Sequence, residues 1–290
     1  MRWDAGEQSP DIEDRRGEGG GLGFGGGGFR LGCGGIVLLA ILSLVFKKNF
    51  FALLDSNSGG PAAVDITHSG PPVSQSADDR ERVKFVSFVV EDVQRTWEKE
   101  FPQLGRNYQR AKLVLFRDAT RSGCGFAESA MGPFYCPADE TVYLDLGFFD
   151  ELRSRFGAPG RFAEAYVIAH EFGHHVQTLL GTEEKVRRAE AKRPSLKNTL
   201  SVRVELQADC FAGVWGHSTD ERNLLESGDV ESGLAAAAAV GDDRLQKAAT
   251  GRVNPESFTH GSSKERVEWF RRGFQTGQVG ACDTFAAGTR

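Results

Sequence analysis

His170, Glu171 and His174 stand in the order H-E-x-x-H. On an α-helix, side chains four apart lie one above the other on the same face, so the two imidazoles can aim at one cation. A catalytic zinc takes three protein ligands and keeps one position open for water. Glu171, one residue along, can touch a water held there. Zinc draws the pKa of that water toward about 7, and a neighbouring carboxylate takes its proton. The spacing therefore predicts hydrolysis by a Glu171-activated, zinc-bound water. The bland alternative is a core helix with two ordinary histidines, each of whose buried polar groups would need a partner.

The motif requires a helix, and its surroundings supply one. Phe162, Ala165, Ala169, Phe172, Val176 and Leu179 recur at steps of three and four, and Gly181 provides a stop. A second helix is predicted over Ser201–His217, with Val202, Leu206, Cys210 and Val214 as its apolar stripe. Glu205 and Asp209 are four apart on it. Glu205 can complete a His₂Glu metal site, and Asp209 can accept the other N–H of a ligand histidine. The alternative is two surface acids on an ordinary helix. Farther on, His260 precedes a helix starting near Ser262 or Ser263. A zinc peptidase needs a donor for the oxyanion that forms as water adds to the carbonyl. His260 and Arg266 are the candidates, against a turn cap and a solvated charge. His175 points about 100° away from His174, which suits a supporting or surface place. His217 reads as a surface residue and His68 as a solvated residue of a tether.

The chain has 290 residues and a formal net charge of -5, enough for one sizeable domain with appendages. Nothing in that charge calls for nucleic acid, which requires a basic face. Residues 1–30 are charged and then glycine-rich, and read as disordered. Leu31–Phe46 carries no charge. If Lys47 and Lys48 snorkel, the apolar stretch extends over 31–54 and reads as a single-pass transmembrane anchor, with a cleaved signal peptide as the rival. Residues 55–80, rich in Ser, Gly, Pro and Ala, form a flexible linker. The globular part is 81–290. It opens with an amphipathic helix from Val83 to Phe101, followed by strands at 111–116 and 141–146, a short helix over 148–156, and an alanine-rich helical run at 234–240. A sheet edge beside the metal could hold an extended peptide by main-chain hydrogen bonds; Met131–Tyr135 and the 141–146 strand are candidates. Outside the apolar stretch, which contains Cys33, there are four cysteines. Cys124 with Cys136 and Cys210 with Cys282 suit two disulfides, against four buried free thiols.

The chain resembles the bacterial neutral zinc metallopeptidases of the YpfJ-like, gluzincin type. The resemblance is carried by IEDRRG at 12–17, GCG at 123–125, MGPFYCPAD at 131–139, VYLDL at 142–146 and YVIAHEFGHHVQ at 166–177. It continues in SVRVELQADCFAGVWGHS at 201–218, GDDRLQ at 241–246 and FTHGSSKERVEWFRRGF at 258–274. The gluzincin pattern E-x-x-x-D falls on Glu205 and Asp209. A late T-H-P-x-x-x-x-R segment of one gluzincin type matches Thr259, His260 and Arg266, with Gly261 in place of the proline. The resemblance implies an α+β fold: a mostly helical, zincin-like domain with a small β-sheet, preceded by a single transmembrane helix. It implies Zn²⁺ held by His170, His174 and Glu205, with a peptide or protein as substrate. Together with the cysteines, it implies a bacterial inner-membrane protein whose catalytic domain lies outside the cytoplasm. Two other readings fit the same residues: an envelope binding or assembly protein with a structural or silent zinc site, and a zinc amidase acting on a cell-wall linkage. The sequence sets no oligomeric state.

Overall fold

The computed structural model describes residues 1–4, 6, 8–17, 76–128, 132–154, 157, 158 and 160–286. Ile12–Asp14 forms β1. Ser76 caps α1 (Ala77–Gln103), its hydroxyl accepting the Asp79 N–H at 3.0 Å. Phe85, Val86, Val89, Val90, Val93, Trp97 and Phe101 bury one stripe of this helix. Next come β2 (Lys112–Phe116), β3 (Ala119–Ser122), β4 (Gly125–Glu128), β5 (Phe134–Cys136) and β6 (Thr141–Asp145). The helices α2 (Gly147–Ser154), α3 (Arg161–Leu180), α4 (Thr182–Lys192), α5 (Lys197–Glu221), α6 (Asp229–Ala239), α7 (Asp242–Thr250) and α8 (Ser263–Thr276) complete the order, before a 3₁₀ turn at Val279–Cys282. The fold is α+β, mostly helical with a small sheet.

The main sheet has the order β1-β2-β6-β5. β1 and β6 flank β2 in parallel, and β5 runs antiparallel to β6, with Tyr135 opposite Val142. β2 and β6 are almost wholly buried, as inner strands covered on both faces must be. The 141–146 strand is therefore interior and offers no edge; the free edge on that side belongs to Phe134–Cys136. Between β2 and β5 lies an antiparallel hairpin, β3 with β4.

Met1–Arg16 and Gln75–Arg290 fold as one compact unit. Of the other unit, Gly17–Ser74, only Gly17 is described. The disorder expected over 1–30 does not hold for its first part: β1 is hydrogen-bonded into the sheet, and Trp3 packs edge-on against Phe85 at 5.4 Å. The expected linker, 55–80, ends too late, since α1 begins at Ala77. The expected anchor, 31–54, lies outside the described residues. Among the described residues no helix is long and apolar enough to cross a membrane. Both disulfides form, Cys124–Cys136 and Cys210–Cys282.

Three glycines set how closely the site helices approach. A Cβ on Gly173 of α3 would stand 2.9 Å from the Ala208 carbonyl oxygen of α5. Between α5 and α8 the fit is tighter: a Cβ on Gly213 would meet the Phe270 oxygen at 2.1 Å, and one on Gly273 the Cys210 oxygen at 1.9 Å. Only backbones without side chains at these points can cross so closely. The crossing brings short acidic side chains of α5 within reach of the imidazoles of α3.

Candidate metal centre

His170 and His174 project from α3 toward Glu205 of α5. His170 Nε2 lies 3.3 Å from one Glu205 carboxylate oxygen, and His174 Nε2 lies 3.7 Å from the other. One ligand atom from each of the three residues lies within 4.8 Å of the other two. Around a tetrahedral Zn²⁺ with bonds near 2.0–2.1 Å, ligand atoms stand about 3.3 Å apart. The donor set, two imidazoles and a carboxylate, is also one that zinc accepts. The residues present therefore fit the metal.

Each imidazole is held from behind. His170 Nδ1 donates to Asp209 Oδ1 at 2.9 Å, and His174 Nδ1 donates to Gln177 Oε1 at 2.8 Å. This leaves both Nε2 lone pairs for a cation. Asp209 is fully buried and accepts further bonds from the Tyr166 hydroxyl and, through both oxygens, from Arg266 at 2.8 and 2.9 Å. Arg266 is only 3% exposed. It stands behind the ligands as the counter-ion of Asp209, not at a surface where substrate or an oxyanion would meet it. Burial opposes a charge on His170, but the neighbouring Asp209 carboxylate and the bond it donates to the Glu205 carboxylate push its pKa up to about 10. For Glu205, burial raises the pKa, and the adjacent His174 and His170 outweigh it and hold the carboxylate ionised. Strong attraction for positive charge is thus built in before any metal arrives.

Glu171 is 8% exposed, and burial pushes its carboxyl up to about 7, even though the Tyr135 backbone N–H of β5 bonds to it. A carboxylate poised near neutrality is suited to take and return a proton. His175, on the same helix, does not face the metal ligands. It accepts the Tyr135 hydroxyl at 3.1 Å and donates to the Gln109 carbonyl at 2.7 Å, and so fastens β5 to α3 from a fully buried position. His217 donates to the Phe274 carbonyl at 2.7 Å and is likewise away from the site.

His260 occupies the turn before α8. Asp242, the first residue of α7, accepts the backbone N–H groups of Thr259, His260 and Gly261 at 2.7, 2.6 and 3.1 Å. Its other oxygen accepts His260 Nδ1 at 3.2 Å. The bond to Asp242 raises the His260 pKa against burial, and the Glu205 carboxylate adds to the rise. Its side chain remains 51% exposed. Gly261 has φ +88°, a conformation closed to proline. The departure from the T-H-P pattern is therefore a requirement of this turn. The sequence gives no sign of the roles of Asp242, Gln177 and Tyr166, whose partners are fixed only by tertiary packing, and it offers Tyr135 only as part of a candidate sheet edge.

Residues 1–285 match the family described as "Putative neutral zinc metallopeptidase". The chain belongs to this family. Among its relatives, the uncharacterized protein YpfJ of Escherichia coli (strain K12) is 48% identical over 297 residues, covering 98% of this chain and 99% of that one. The uncharacterized protein Rv2575 of Mycobacterium tuberculosis (strain ATCC 25618 / H37Rv) is 47% identical over 206 residues, 67% of this chain and 68% of that one. No solved structure matches.

Proposed function

We propose that this protein is a zinc-dependent peptidase in which His170, His174 and Glu205 hold the metal and Glu171 is the general base. When bound, zinc supplies a Lewis acid that polarises the scissile carbonyl and acidifies water. Glu171, poised by burial, takes a proton from the attacking water and passes it to the leaving amine. His260, oriented through Nδ1 by Asp242, presents its remaining nitrogen to the oxyanion that develops on the carbonyl. The Phe134–Cys136 edge receives an extended peptide by main-chain hydrogen bonds, and Tyr135 links that edge to Glu171. The carrying observation is that three ligand atoms from two helices converge with both imidazoles fixed from behind.

We further propose attachment to a membrane through the apolar stretch 31–54, with the peptidase unit in an oxidising compartment. Two disulfides support the compartment. Glu171→Gln tests the chemistry. The variant is expected to bind zinc like wild type while peptide hydrolysis falls about 10²–10⁴-fold. Cleavage at the wild-type rate would remove Glu171 from its role.

A further inference from the structure

Behind His174 a chain of two buried amides leads away from the metal centre. Gln177 is fully buried one turn along α3, and its Oε1 accepts the His174 Nδ1–H at 2.8 Å. Its Nε2 donates to the Val204 carbonyl at 2.7 Å and to Gln207 Oε1 at 3.1 Å. Gln207, 7% exposed, donates in turn to the Cys282 carbonyl at 3.0 Å. The direction of each amide is fixed: Gln177 Nε2 faces two oxygens, so its own oxygen must face the imidazole. That orientation places the His174 proton on Nδ1 and the lone pair on Nε2. At its far end the chain is covalently anchored, because Cys282 is bonded to Cys210 of α5. Cys210 is the neighbour of Asp209, which holds His170. The outer partners of both ligand histidines therefore lead back to one staple.

We propose that Gln177 and Gln207 are positioning residues for the metal: through His174 they fix the tautomer and ring plane that zinc requires. This rests on the metal site proposed above. Outer partners of a ligand histidine are commonly worth 10–100-fold in metal affinity. Gln177→Met keeps the side-chain length and removes every bond of the amide. Gln207→Met removes only the anchor.

The test uses the full chain. Zinc affinity is measured by chelator competition, the visible absorption of the Co²⁺-loaded protein reports ligand geometry, and thermal unfolding of the metal-free form reports folding. Gln177→Met is expected to bind zinc about 10–100-fold more weakly with a changed Co²⁺ spectrum. Gln207→Met should show a smaller change in the same direction, and it carries the test if Gln177→Met does not fold. Both variants binding zinc within twofold of wild type, with an unchanged spectrum, would overturn the assignment while leaving the metal site intact. Wild type that takes up no zinc would overturn both.

Discussion

At the scale of single residues, Glu171 makes a prediction whose sign can be worked out. Its carboxyl is raised from 4.5 to about 7 by burial, so between those values the folded protein holds a proton that the unfolded chain has released. Stability from this group is present below pH 4.5 and is lost as pH rises toward 7. At one pKa unit per 1.36 kcal/mol, the loss is about 3 kcal/mol at full ionisation. Metal-free Glu171→Gln should therefore melt above metal-free wild type at pH 8, with the gap closing toward pH 4.5; an equal gap at both pH values would refute it. The residues that could do chemistry were legible because their spacing is local: His170, Glu171 and His174 share one helix face, and Glu205 and Asp209 share another. Arg266 is buried against Asp209, and a charge next to a motif gives no sign in sequence of whether it faces substrate or a buried acid. Asp242 and Gln177 were invisible for a related reason: their function depends on groups far away in the chain or on a side-chain direction that sequence does not encode.

At the scale of elements, α3, β2, β6 and the start of α8 could be read from periodicity and capping. The capping box of Ser262 with Glu265 lies where the sequence places the helix start. The crossing of α5 over α3 and α8 could not be read. In sequence, Gly173, Gly213 and Gly273 look like weak points in helices, at a cost near 1 kcal/mol each relative to alanine. In the fold they are the points of contact. Gly273→Ala would gain helix propensity and yet place a methyl group 1.9 Å from the Cys210 oxygen. The clash outweighs the propensity, so the variant should lose about 3 kcal/mol or more in chemical denaturation. A variant as stable as wild type would show that the two helices can separate freely.

At the scale of the whole molecule, the N-terminal segment holds the largest departure from the sequence reading. IED at 12–14 is too short and too polar to read as a strand, and it becomes one only because the β2 edge is there to pair with it. That pairing constrains topology. Ile12 sits opposite Leu113 and Asp14 opposite Leu115 in one ladder. A chain that threaded a lipid bilayer once between these two strands would leave them facing different compartments, and the ladder could not close. The ladder therefore predicts that Gly17 and Ala77 lie on the same side of any membrane the protein meets. In a Cys33→Ala background, Gly17→Cys and Ala77→Cys should react alike with a membrane-impermeant thiol reagent on intact cells. Labelling of one and protection of the other would mean that β1 and β2 never meet in the living cell.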